Sequence, residues 1–357
     1  VTGAGSSLTM KGNVTVSGNS ITGIVANGTT VKLEGDATVK VDNNGAEAGE
    51  INKKGSYGIV VKGSAGKFEG KDTTVNTKVT TDKSIGLYSE GELTVKKANV
   101  TATDGAINFF AKDGKINING GGTTITGQKS LLFYTSGTGK VTLGGAMTAT
   151  IKGGTTPSTR GTAFYYVSPI RYGAFNTGAI QNYFNNTFGN GTSTLNHLTL
   201  NMEQGSRLFV ASNAGMNLSN TSADNLMTGI TNAPTITGSD YKTFMLYLSK
   251  LTINQAVDLN NPNDNYSKLE IANSSIDNEN VMTGNQNRQV AMAQENGNDI
   301  SGNGYNATEV TLINKATGVI NLTGEETTGI YAKRGAIFNE GSIPVGKKST
   351  GIYLVED

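Results

Sequence analysis

The 357-residue sequence has no cysteine and no tryptophan, only 5 prolines and a single histidine. Without cysteine there is neither a disulfide scaffold nor a thiolate metal site. It also suits passage through a secretion pore, where a disulfide would trap the chain. One histidine cannot build a His-rich metal centre. It could serve a Ser–His pair, but no G-x-S-x-G occurs. Charged residues make up only 16% and the formal net charge is +1. That balance argues against nucleic acid or an anionic membrane surface as the main partner. No run reaches the roughly 18 consecutive apolar residues of a membrane span. Long 3.6-residue periods, the mark of a globular α/β enzyme, are almost missing. So are G-x-x-x-x-G-K-[ST] and the calcium-binding nonapeptide repeat, and the one loose dinucleotide-type pattern, at 302–307, follows no strand. The opening residues, from Val1, carry no signal-peptide pattern.

What is present is glycine, 48 residues of it, with abundant Asn, Thr and Ser. Gly and Asn tolerate φ > 0 at tight corners, and Val, Ile, Thr and aromatics favour strands. The last stretch shows how they are used. The unit T-G-I-Y occurs at Thr328–Tyr331 and again at Thr350–Tyr353, with glycines 22 residues apart. Between the copies lie the apolar runs Ala336–Phe338 and Ile343–Val345, divided by polar breaks. Three strands and three turns in about 22 residues describe one coil of a parallel β-solenoid.

Degenerate copies recur up the chain, clearly at Ser84–Tyr88 and Ser56–Val60. Taking the residue before the Ile, Leu or Phe as a mark gives positions 23, 58, 86, 108, 132, 163, 208, 245, 329 and 351. The longest step, from 245 to 329, is expected to hide at least one further coil. The spacing therefore predicts an all-β fold: a right-handed parallel β-helix of about ten coils, with loop and short-helix insertions. Both ends run straight into repeat sequence without an evident cap, as expected of a piece of a longer protein.

Residues 1–357 read as one β-helical segment. Its first part holds a polar loop at 42–50, which reads as solvated because the calcium-loop order is absent. The block 56–165 alternates cleanly as strands, including Thr73–Val75, Lys78–Thr80, Leu93–Val95 and Val100–Ala102. A one-residue slip inverts every face, so which of Leu87 and Tyr88 points inward stays open.

Two stretches break the pattern. The insertion 166–197 is aromatic-rich, with a short helix expected around Ala179–Phe184. With Tyr165 before it, it supplies the candidate binding residues Tyr165, Tyr166, Arg171, Tyr172, Phe175, Tyr183, Phe184, Phe188 and His197. Aromatics rimmed by Arg and Asn suit sugar rings or a protein surface; equally, they can pack on the rod as a local core. The insertion 255–307 is polar and Asn/Gln-rich, and 277–294 is open to a helix or a loop.

Parallel β-helices that cut polysaccharides place carboxylates from successive coils on one face. Here Glu34, Asp72, Asp82, Glu90 and Glu92 scatter near turns with no acid recurring at one coil position, so no enzymatic activity, cofactor or metal is expected.

The coil from Gly329 to Tyr353 resembles the repeats of the large type V autotransporter adhesins of fusobacteria. The match is specific over 326–355, fair over 56–95 and compositional elsewhere. The resemblance implies an extracellular passenger, held at the bacterial surface by a C-terminal outer-membrane barrel that this chain lacks. It further implies, as partners, host-cell glycans ending in galactose or N-acetylgalactosamine, host immune receptors or other bacteria. Two functions remain open: an adhesin segment that binds through its insertions, and a spacer with no binding of its own. A glycan-cleaving β-helix ranks third.

Overall fold

The computed structural model describes residues 2–3, 5–19, 21–42, 56–188, 191–295 and 310–355. The polar loop at 43–50, the glycine pattern at 302–307 and the 296–307 end of the second insertion lie outside them. Strands dominate, helices are few, and the strand pairings are parallel. Contacts group the chain into two compact units. The first comprises 1–165, 181–208 and 229–241, the second 166–180, 209–228 and 242–357.

In the first unit one sheet carries the T-G-I-Y positions. Its order is Thr22–Asn27, Tyr57–Lys62, Ile85–Ser89, Ile107–Lys112, Leu131–Ser136 and Thr162–Val167. Ile24, Ile59, Leu87, Phe109, Phe133 and Phe164 align strand to strand on one face. The phenyl rings stack, Phe109 on Phe133 at 5.4 Å and Phe133 on Phe164 at 6.1 Å between centroids. Each fully buried ring contributes about 1.5–3 kcal/mol by leaving water. On the opposite face Tyr57, Val60, Ile85 and Tyr88 form a second apolar cluster, joined by Val25, Ile107 and Phe110. Leu87 and Tyr88 thus point to opposite faces, and both are buried.

The register glycine has a steric cause. A Cβ on Gly58 would meet the carbonyl oxygen of Gly86 at 2.4 Å, and one on Gly86 would meet that of Asn108 at 2.7 Å. A strand can run this close to the next repeat only without a side chain. Just before the strand, Ser56 donates its N–H to Ser84 Oγ at 3.0 Å, and Thr327 likewise to Ser349 Oγ at 2.9 Å. Preceding residues Lys83, Glu326 and Lys348 hold φ of 69°, 58° and 55°. Corners are therefore turned by charged residues as well as by Gly and Asn, each at a backbone cost of roughly 1–2 kcal/mol.

The other sheet of this unit has 12 strands. Two are longer than the sequence suggests: Lys67–Thr80 and Glu92–Thr103 each join stretches expected as separate strands. A register shift between Gly70 and Thr74 accommodates the join. Phe68, Val75, Leu93, Val95 and Val100 are buried on its inner face. The outer face carries a column of hydroxyl and amide side chains across eight strands: Thr15, Thr38, Asn76, Asn99, Thr123, Thr148, Thr199 and Thr235. Two residues further along, Lys78, Thr101, Ile125, Thr150, Asn201 and Thr237 form a second column.

In the second unit the step from 245 to 329 hides, among the described residues, two further strands that pair with the marked ones. Leu269–Ala272 pairs with Lys242–Tyr247, and Val290–Glu295 pairs with Thr328–Lys333. The 277–294 stretch forms neither helix nor loop alone. Ser275–Asn278, Val281–Gly284 and Val290–Glu295 are strands, with Ile276, Met282 and Met292 fully buried. Alternation of these few apolar residues was outweighed in the sequence by the surrounding Asn and Gln. Buried amides compensate: Asn278 donates to Asn314 and Asn314 to Asn339, both at 2.8 Å.

Candidate binding surface

The nine candidate residues divide between the units. Tyr165, Tyr183, Phe184, Phe188 and His197 belong to the first. The expected short helix is Thr177–Thr187, longer than anticipated. Phe184 and Phe188 are one helical turn apart and fully buried. They meet Phe164 edge-on at 5.3 and 6.3 Å, and Phe188 meets Phe133 at 5.1 Å. Tyr183 stands edge-on to Phe164 at 6.3 Å, and burial pushes its phenol pKa up. The two phenylalanine rings extend the hydrophobic core and offer no face to a ligand, whereas Tyr183 is half-buried. Tyr165 is half-buried with its ring 5.8 Å from Tyr134. His197, also half-buried, donates from Nδ1 to the carbonyl of Leu143 at 2.7 Å.

Tyr166, Arg171, Tyr172 and Phe175 belong to the second unit. Phe175 is buried between Phe209 and Phe244, at 5.9 and 5.3 Å, and Tyr166 lies over it at 4.5 Å. On this footing stands a turn. Ser168 donates from Oγ to the carbonyl of Ile170, and Gly173 N–H donates to that same oxygen. The turn projects Val167, 48% exposed, and Ile170, 67% exposed. Arg171 sits 4.9 Å over the Tyr172 ring and also donates to its hydroxyl at 3.2 Å. Tyr172 holds a φ of 54°, and its hydroxyl lies 3.5 Å from Ser275 Oγ. The sequence reading found Arg171 and Tyr172 but missed Val167 and Ile170. Their signal was the Ser-Pro-Ile break in strand alternation.

Two of the first unit's depressions are lined by described residues. One, about 310 Å³, lies on the hydroxyl–amide columns and is lined by Thr38, Asn76, Lys78, Asn99, Thr101, Thr123 and Ile125 with Thr77. The other, about 480 Å³, is charged. Glu34, Glu69 and Asp72 line it beside Lys32 and Lys71, and Lys32 pairs with Glu34 at 3.1 Å. Glu69 stands in register with Lys32 of the preceding repeat, not with Glu34. Among the described residues, no three His, Asp or Glu side chains converge as metal ligands.

No protein-family model, curated protein or solved structure matches the chain.

Proposed function

We propose that this chain is a segment of a bacterial surface adhesin: a right-handed parallel β-helical passenger of an autotransporter, displayed outside the cell. In-register pairing of strands one repeat apart supports the β-helical reading. The observation that carries the binding role is the Val167–Tyr172 turn. Exposed aliphatic side chains held by a rigid turn, beside an Arg stacked on a Tyr, have the composition of an interaction hot spot. Its receptor belongs to the host-cell surface, as a galactose- or N-acetylgalactosamine-type glycan or an immune-receptor protein, or to a partner bacterium. The test is binding of the purified protein to epithelial cells, partner bacteria and a glycan array, beside Ile170→Asp and Arg171→Ala. Loss of binding by variants that melt like the parent supports the reading. Binding unchanged in both removes the turn from it. No binding by the folded parent leaves the spacer as the better account.

The charged cleft favours a second reading, polysaccharide cleavage, because Glu34, Glu69 and Asp72 come together there from neighbouring repeats. Release of reducing ends from polysaccharides, abolished in Glu34→Gln or Glu69→Gln, would establish it. Absence of release across a broad panel removes it.

A further inference from the structure

We infer that the outer face of the first unit's 12-stranded sheet binds a linear, uncharged polysaccharide laid across the strands, with the depression at Thr38, Asn76, Asn99, Thr101 and Thr123 as its central subsite. The inference rests on the adhesin reading and adds to it a second binding face, for a ligand separate from the receptor assigned to the Val167–Tyr172 turn.

The hydrogen-bond inventory gives the first reason. Asn99 donates from Nδ2 to Asn76 Oδ1 at 2.9 Å and accepts at its Oδ1 from Thr123 N–H at 3.0 Å. Both amide oxygens are thereby engaged within the protein and both side chains are fixed in orientation. Asn76 keeps two N–H donors and Asn99 keeps one. The hydroxyls of Thr38, Thr101 and Thr123 supply donors and acceptors together. A sugar hydroxyl is also donor and acceptor at once, so this mixture satisfies it in either sense. The threonine methyls and Ile125 provide apolar ground for the C–H faces of the rings.

Charge and size narrow the class. Among the described residues lining the depression, Lys78 is the one ionic side chain, so a basic polymer is disfavoured and an acidic one finds a single cationic contact among neutral groups. A volume of about 310 Å³ sits at the small end of ligand sites, enough for a sugar ring or two but not for a folded partner's anchor cluster. Among the described residues of these columns, the large exposed aromatic or aliphatic anchors that protein interfaces use are missing.

Periodicity gives the third reason. Neighbouring strands lie roughly 4.8 Å apart, close to the length of one sugar residue in an extended chain. The same hydroxyl position recurs beyond the depression at Thr148 and Thr199. A ligand with its own repeat can use successive positions, each contact weak and their sum appreciable.

The experiment measures retardation of the whole 357-residue protein in gels containing dextran, β-1,4-galactan, laminarin or mannan, with polygalacturonate as the charged control. Thr101→Lys and Thr123→Lys place a long cationic chain in the depression at outward positions. Ile170→Asp controls for the turn, and thermal melting and sedimentation are followed for all. The expected result is binding of at least one neutral polymer, weakened about tenfold or more by Thr101→Lys and Thr123→Lys and unchanged in Ile170→Asp. Retention of cell binding without any neutral polymer bound overturns this inference and spares the adhesin reading. So does full affinity in Thr101→Lys and Thr123→Lys. Self-association that these two variants abolish also overturns it, and reassigns the face to a second copy of the chain. A folded protein that binds neither polymers nor cells sinks both readings.

Discussion

Asn278 donates from Nδ2 to Oδ1 of Asn314 at 2.8 Å, and the two occupy the same position on neighbouring parallel strands. Both are fully buried, and Asn314 passes the chain of bonds on to Asn339. Side-chain amides here do between repeats what backbone amides do between strands. Deleting the middle member strands a buried donor below and an acceptor above.

Asn314→Ala is therefore expected to destabilise the second unit by about 2 kcal/mol, the cost of leaving the buried Asn278 amide donor unpaired. Urea unfolding checks it; a change below about 0.5 kcal/mol would show that the amide ladder is incidental.

A second prediction concerns acid stability. Tyr88 donates its hydroxyl to Glu90 Oε1 at 2.5 Å, and Gly63 N–H donates to Oε2 at 3.0 Å. Burial alone would raise the Glu90 pKa, but these bonds and the nearby Lys112 and Lys62 bring it below the usual 4.5. A depressed carboxylate contributes stability that is complete above its unfolded pKa and disappears as pH falls through the folded one. Glu90→Gln should cost about 1 kcal/mol at neutral pH and flatten the loss of stability below about pH 4.5. Parallel acid titrations of the parent and Glu90→Gln that superimpose would contradict it.

Gly58→Ala tests the register glycine. The added methyl would press on the Gly86 carbonyl oxygen and on Thr77 Cγ2, at 2.4 and 2.5 Å. The expected loss is about 1–3 kcal/mol from overpacking, read as a lower melting temperature.

A fourth prediction separates core from surface among the aromatic-rich residues. Phe184→Ala should cost about 3–5 kcal/mol, since it empties a fully buried ring site. Ile170→Asp, at 67% exposure, should leave stability within about 0.5 kcal/mol and abolish cell binding. Reversal of the two would place recognition in the rings and support in the turn.

The repeat itself was legible because each strand and corner position asks for one kind of residue. T-G-I-Y marked the strands of one sheet, and Val/Thr alternation marked those of the other. Those are local demands of pleat and corner, and they survive degeneration. The all-β class and the parallel sheets follow from them. The second long insertion was less legible, since only Ile276, Met282, Met292 and a few others carry the strand pattern there, and a buried Asn looks in sequence like an exposed one. Only tertiary contact tells Asn278 from a solvated amide. The aromatic stretch shows the same limit. Phe184 and Phe188 recur at helical spacing, but whether the rings find a core or solvent depends on Phe133 and Phe164, about 20 to 55 residues earlier. Likewise the hydroxyl columns exist only once strands from residues 15 to 235 are stacked in register. Sequence determined the strand, the corner and the period, because each is settled within a few residues. Which faces are buried twice, and which groups line up across repeats, was decided by the register of strands far apart in the chain.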